Sequence, residues 1–259
     1  MLMFRIPCWL VVRSFVLSSI ALAMVTLSAL GQEPRPSAEP GSSIKRMTDS
    51  LVQVTPLLKG KWTRAWAEKV RDLSAIEPRV VKVGEKEISV DESLYYDGRY
   101  GSPLAYARAI DLAEKFGFAP DSGNKIFDFG YGSIGHLQMF ALTGLHAVAV
   151  DVDPLLPVMY ENAAEAVGIG SVKLLNGRFP TETGLVEQIG EGYDLFLSKN
   201  TLKRGYIHPE RESLNPRQLI DLGVSDAEYL AAVAKILKHN GMFVIYNFCP
   251  AKAPADKPY

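Results

Sequence analysis

Two aspartates bracket a glycine-rich turn in Lys125–Asp153, KIFDFGYGSIGHLQMFALTGLHAVAVDVD, and their spacing suits recognition of a nucleoside. Ile126 and Phe127 read as a buried strand, Gly130, Gly132 and Gly135 as a turn, and a helix then leads to a second strand ending at Asp151. The run Gly130-Tyr131-Gly132-Ser133-Ile134-Gly135 fits GxGxxG. In that pattern the first glycine turns the chain sharply, the second lets backbone approach a ligand, and the third allows close packing of helix on strand. Asp151, 16 residues after Gly135, places a carboxylate where it can hydrogen-bond a ribose diol. Asp128 adds a second carboxylate in front of the turn, which repels a pyrophosphate and suits a cation. The chemistry indicated is the binding of a nucleoside-containing cofactor.

The elements that must position these residues alternate. After the glycine turn a helix is expected from Pro154 to about Val167, a strand at Val172–Leu175 and a helix at Glu182–Ile189. A strand at Tyr193–Leu197, a helix at Asp226–His239 capped by Ser225, and an apolar strand at Gly241–Phe248 follow. Alternation of this kind, with strands apolar throughout, predicts an α/β fold with a mostly parallel sheet and right-handed crossovers. Upstream, Trp62, Trp66, Val70 and Leu73 recur at helical spacing, so Arg46 to about Ser74 reads as a helix burying that stripe against the main domain. Arg79–Val90 reads as a hairpin, and Ser102-Pro103 as the start of a helix ended by Gly117. Tyr95, Tyr96, Arg99 and Tyr100 precede that helix, in a loop that either covers a ligand or packs the domain's edge.

The first 31 residues carry only Arg5 and Arg13 as charges, and Ser14–Leu30 is an uncharged, mostly apolar run at whose end Ala29-Leu30-Gly31 offers a cleavage site. That is a secretory signal pattern, with an uncleaved membrane anchor as the alternative. Export to the periplasm or outside is therefore expected. Residues 32–45, rich in proline and small polar residues, read as a disordered linker, 46–117 as a mainly helical extension and 118–259 as the nucleotide-binding domain. With Cys8 in the signal, Cys249 is left without an intramolecular partner in the mature chain. A formal net charge of −1 provides no basic field for nucleic acid, and no HxxxH, HExxH or CxxC spacing marks a metal site.

Asp128-Phe129-Gly130-Tyr131-Gly132 resembles the first motif of the class I S-adenosylmethionine-dependent methyltransferases. Val148–Pro154 is similar to their second strand, Tyr193–Ser198 to their fourth, and Leu237-Lys238-His239-Asn240-Gly241 to the turn before their fifth. The resemblance implies a Rossmann-like three-layer α/β/α sandwich. It implies cofactor contacts at Asp128, Gly130, Tyr131, Gly132, Gly135, Asp151, Val152, Arg178, Phe179 and Ser198. The third glycine comes one residue late, at Gly135, and Asn176-Gly177-Arg178-Phe179 has no carboxylate for the adenine amino group. The chain also stops at Tyr259, where the family continues with a helix and an antiparallel strand pair, so a fragment and a shortened sheet both stay open.

The activity so implied is methyl transfer by in-line substitution to an unidentified acceptor, held near the end of the fourth strand. Lys199, Lys203 and Arg204 are expected there, either recruiting an anionic acceptor or forming a solvated basic loop, and Tyr206 and His208 are the general-base candidates. The (Asp/Asn)-Pro-Pro-(Tyr/Phe) signature of enzymes that methylate nucleic-acid bases is absent, so no nucleic-acid partner is expected and the acceptor is a small molecule or another, unidentified group. Two alternatives stay open: an exported non-catalytic domain of the same fold, and a nicotinamide-dependent oxidoreductase, the latter opposed by Asp128.

Overall fold

The computed structural model describes residues 10–11, 39–96, 102–160, 169–202 and 222–247. In chain order these give β1 (Leu10–Val11), α1 (Ser42–Val54), α2 (Lys61–Glu68), β2 (Arg79–Val83), β3 (Lys86–Val90), α3 (Glu92–Tyr96) and α4 (Ala107–Lys115). The nucleotide-binding half continues with β4 (Lys125–Phe129), α5 (Gly135–Leu142), β5 (His146–Asp151), α6 (Leu155–Met159) and β6 (Ser171–Asn176). It closes with α7 (Thr183–Ile189), β7 (Tyr193–Lys199), α8 (Asp226–Ile236) and β8 (Leu237–Tyr246).

Six parallel strands lie in the order β1-β8-β7-β4-β5-β6, beside a separate antiparallel hairpin of β2 and β3. The chain moves outward from β4 through β5 to β6, then returns to the other side of β4 for β7 and β8. This is the doubly wound plan, and its direction reverses between β4 and β7. Strand alternation separates two cores. Ile126, Leu195 and Leu197 join the residues of the N-terminal helices and α5 on one face. On the other, Phe127, Phe129 and Phe196 meet Leu185, Ile189, Tyr229, Val233 and Ile236 of α7 and α8. The result is a Rossmann-like three-layer sandwich.

Several local expectations hold for physical reasons visible in the geometry. Ser225 and Glu228 form a reciprocal capping box at the start of α8. Ser102 Oγ accepts from the Leu104 amide at 3.3 Å, starting the short 3-10 turn Pro103–Tyr106 that leads into α4. The tryptophan stripe packs inward as expected: Trp66 is fully buried and lies 5.4 Å from the Phe140 ring, while Trp62 meets Phe118 edge-on.

Two expectations need correction. The helix read as continuous from Arg46 to Ser74 is two helices with 3-10 turns, interrupted around Pro56 and Gly60. The helix read to His239 ends at Ile236, and Leu237–Gly241 is not a separate turn but the irregular start of β8. Tyr193 pairs with Leu237 but Leu195 with Met242, so the chain loops out between them, with Asn240 at φ 65°. Asp194 sits at that irregularity, paired with Lys238 and accepting from Asn124 Nδ2 and the Lys125 amide at 2.8 Å each.

Carboxylates tie the helices of the N-terminal extension to one another. Glu92 accepts from the amides of Gly41, Ser43 (2.8 Å) and Ile44 (3.0 Å) and so closes the exposed N-terminus of α1. Glu114 does the same for α2, accepting from Trp62 N, Thr63 N and Thr63 Oγ1. Glu92→Ala strips several donors of their acceptor at once and is expected to destabilise the protein by about 3 kcal/mol. Urea unfolding monitored by tryptophan fluorescence measures this, and an unchanged midpoint would show that the caps are dispensable.

Of the residues read as an export signal, only Leu10–Val11 is described, pairing with Val244–Ile245 at the sheet's edge. No described helix is long and apolar enough to cross a membrane, and Ser14–Leu30 lies outside the described residues.

Candidate functional site

In doubly wound sheets ligands bind outside the carboxyl ends of the strands, where the strand order reverses. Here that position is reached by the ends of β4 and β7, flanked by β5. Gly130 follows β4 at φ 77° and Gly132 at φ 58°, conformations that favour glycine. The Gly130 amide donates to Val150 O at 2.8 Å, which fixes the turn against β5. Asp151, at the end of β5, accepts from the Gly132 amide at 3.2 Å and from the Asp153 amide at 3.0 Å. One carboxylate therefore spans the glycine turn and the loop after β5. Burial pushes the Asp151 carboxyl above its ordinary range, against the lowering effect of those two hydrogen bonds. Val152 beside it is 59% exposed, an apolar surface at the mouth of the crevice.

Asp128 is fully buried, and its Oδ2 lies 2.6 Å from His136 Nε2 at the start of α5. The His136 ring stacks on Tyr106 at 3.7 Å between centroids, 7° from parallel, and the Lys199 ammonium stands 4.8 Å from the Tyr106 ring centre on β7. Burial lowers the His136 pKa more than the Asp128 charge and hydrogen bond raise it, with Lys199 lowering it further. The imidazole is thus neutral at pH 7, its Nε2–H donating to Asp128. Asp128 Oδ1 and His136 Nδ1 are both buried without a hydrogen-bond partner among the described residues. Burial, followed by the charges of Asp128 and Asp151, holds the Tyr106 phenol well above its usual range, so it too is neutral.

This pair has a pH signature. Below about 6.5, the ordinary histidine pKa, the unfolded chain takes up a proton at His136 that the folded chain refuses. Stability from this group is complete above that pH and falls with acidification by at most about 1.4 kcal/mol per pH unit until the folded pKa is reached. Urea unfolding from pH 7 to pH 5 should show a steeper loss in the unmodified protein than in His136→Gln. Equal slopes would mean that His136 titrates alike in both states.

Several residues assigned by resemblance stand elsewhere than expected. Phe179 is fully buried among Phe127, Phe129 and Tyr229, so it is a core residue and its ring cannot meet adenine. Tyr131 is likewise buried, near Tyr160, which leaves only its backbone for a ligand. Arg178 is exposed beyond β6, and its amide donates to Glu182 Oε1 at 2.8 Å. Ser198 is fully buried on the face opposite Asp128, its hydroxyl without a partner among the described residues. The glycines make close contacts of their own. A Cβ on Gly130 would strike the Thr201 side chain, and one on Gly135 would strike Pro103 and Tyr96. The third glycine thus serves close packing as expected, but against the N-terminal extension.

Lys199 is not part of a solvated loop; it is the last residue of β7 and 7% exposed. Tyr95 and Tyr96 pack the edge, Tyr95 Oη donating to Met159 O and Tyr96 Oη to Ser74 O. Arg99, Tyr100, Lys203, Arg204, Tyr206 and His208 lie outside the described residues. Sequence reasoning missed His136 and Tyr106 as site residues. Their only signal was helical spacing from a glycine turn and from a capped proline, which states proximity to the crevice but not pairing.

No protein-family model matches the chain, and no curated protein gives a significant sequence match. Similar solved structures include an S-adenosylmethionine-dependent methyltransferase from Thiobacillus denitrificans in complex with S-adenosyl-L-homocysteine, 19% identical over 48% of this chain and 42% of that one, TM-score 0.33. Another is a TehB-like S-adenosylmethionine-dependent methyltransferase from Corynebacterium glutamicum, 22% identical over 53% and 59%, TM-score 0.30. A protein-L-isoaspartate O-methyltransferase is 12% identical over 78% and 55%, TM-score 0.42. The chain spans less than two thirds of the length of each. The assignment of the fold rests on the strand order itself.

Proposed function

We propose that the chain is an S-adenosylmethionine-dependent methyltransferase acting on a small, non-nucleic-acid acceptor held near the end of β7. The observation that carries this reading is the union of Asp128, the glycine turn and Asp151 at the strand ends beside the switch point, with Asp151 bonded to the turn at Gly132. The residues suit this cofactor. Asp151 offers a carboxylate for a ribose diol, the Gly130–Gly132 backbone gives close approach, and the buried carboxylate of Asp128 places negative charge behind the turn, which suits the ammonium of the methionyl end. When bound, S-adenosylmethionine supplies an electrophilic methyl group. The protein's part is to orient the acceptor in line with it and to exclude water.

Isothermal titration tests the reading. Binding of S-adenosylmethionine and S-adenosylhomocysteine without binding of NAD is expected, and silence with all three, or binding of NAD alone, would overturn it. The apolar Ser14–Leu30 and the small residues before Gln32 support export as part of the same proposal, cleavage there removing β1 and leaving β8 at the sheet's edge. Mass spectrometry of the secreted or periplasmic protein should find Gln32 at the N-terminus, and an intact Met1 in a membrane fraction would favour anchoring instead.

A further inference from the structure

Away from the crevice, the junction of α1, α2 and α4 presents apolar and basic side chains together. Val52, turned away from the buried Met47 and Leu51, is 77% exposed, and Leu57, in the 3-10 turn that follows α1, is 68% exposed. Lys59, Lys61 and Arg64 come next, all exposed. Two carboxylates of α4 fix this loop in place. Asp111 Oδ1 accepts from the Lys59 and Gly60 amides at 2.7 Å each, and Glu114 accepts from the Trp62 and Thr63 amides at 3.0 and 2.8 Å. The loop therefore lies along the last turn of α4, which ends in exposed Lys115 and Phe116, the ammonium 5.7 Å from the ring centre. None of Lys59, Lys61, Arg64 and Lys115 makes an ion pair among the described residues; Arg64 donates to Gly60 O and Lys59 O instead. Residues 52–64 and 108–116 carry five cations and two carboxylates, so this surface is basic in a chain of formal net charge −1.

Apolar side chains set among unpaired cations match the two layers of an anionic bilayer surface. Headgroup phosphates suit the ammonium and guanidinium groups, and the upper acyl region suits valine, leucine and phenylalanine. A polyanion such as nucleic acid would use the cations but leave the apolar side chains in water. We infer that this junction docks the protein on a membrane surface carrying anionic lipid. The contact is lateral and needs no spanning segment, so it holds whether or not Ser14–Leu30 is cleaved. Because Asp111 and Glu114 already hold the loop, little ordering is required on docking. Each cation contributes about fivefold to affinity at low salt, so Lys59 and Lys61 together contribute about 30-fold.

Amide hydrogen exchange of the purified protein tests this with vesicles of phosphatidylcholine alone and with vesicles that also contain phosphatidylglycerol. Slower exchange is expected only with the anionic vesicles, in the peptides covering Val52–Arg64 and Lys115–Gly117, and it should disappear at about 0.5 M salt. Since the comparison is between two lipids, insertion of an uncleaved apolar segment into both does not imitate the result. Lys59→Gln with Lys61→Gln, and separately Leu57→Ser with Phe116→Ser, should each lose most of the protection. All four side chains are exposed and the backbone bonds to Asp111 are kept, so the lysine pair at least should fold as the unmodified protein does. Equal protection by both vesicle types, protection by neither, or full protection in both double variants would overturn the docking surface. A short single-stranded DNA that protects the same peptides as strongly as the anionic vesicles, with Leu57→Ser and Phe116→Ser without effect on either, would make it a general polyanion surface and overturn the lipid assignment.

Discussion

Asp151→Ala is expected to weaken S-adenosylhomocysteine binding by about 100-fold, roughly 2.7 kcal/mol. The wild-type carboxylate performs two tasks at once. It accepts from the Gly132 amide at 3.2 Å and the Asp153 amide at 3.0 Å, and it presents the acceptor proposed for the ribose. Alanine removes the acceptor and also leaves the turn without its tie to the end of β5, so pre-organisation is lost along with a contact. Asp151→Asn separates the two effects, since an amide oxygen can still accept from Gly132 but carries no charge. It should lose about tenfold. Titration calorimetry at one salt concentration reads both variants, and unchanged affinity in both would remove Asp151 from the site.

Gly130→Val should abolish folding or cost at least about 4 kcal/mol. Two independent costs combine. Gly130 has φ 77°, where a β-branched residue is strongly disfavoured, and any Cβ would be driven into the Thr201 side chain at the end of β7. Thr201 Oγ1 also donates to Gly130 O at 3.3 Å, so the neighbour cannot move without losing that bond. Chemical unfolding gives the loss directly. A double variant, Gly130→Ala with Thr201→Gly, should recover the steric part and leave the backbone part. No recovery would mean that strain at the positive φ is the whole effect. Because Gly130→Val acts on folding, it is a test of the turn rather than of ligand binding.

Much of this architecture is written in short-range pattern. The alternation of strands and helices after Lys125, the Arg79–Val90 hairpin, the Ser102-Pro103 start and the Ser225 cap each follow from periodicity or end chemistry within a few residues. The break in the N-terminal helix was signalled by Pro56 and Gly60 but outweighed by the tryptophan stripe, which stays in phase because both pieces bury against the same core. Other features depend on distances that no local pattern encodes. Asp128 and His136 are eight residues apart across a strand, a turn and a helix start, and their pairing at 2.6 Å follows from how α5 leaves the turn. Phe179 looked available for adenine because it follows a strand end. Its burial among three aromatic rings is completed by Tyr229 of α8, a segment more than 40 residues later. Lys199 was read as loop because charges favour solvent, whereas β7 runs on to include it and the tyrosine beneath it holds its charge.

The central claim is that a nucleoside cofactor lies against the turn between β4 and α5 and the end of β5. Amide hydrogen exchange with and without saturating S-adenosylhomocysteine tests it most directly. Slower exchange is predicted in the peptides covering Gly130–Gly135 and Asp151–Asp153, with little change in the β2–β3 hairpin on Arg79–Val90. Binding that leaves both of those peptides unprotected, or protects only the hairpin, would contradict the account.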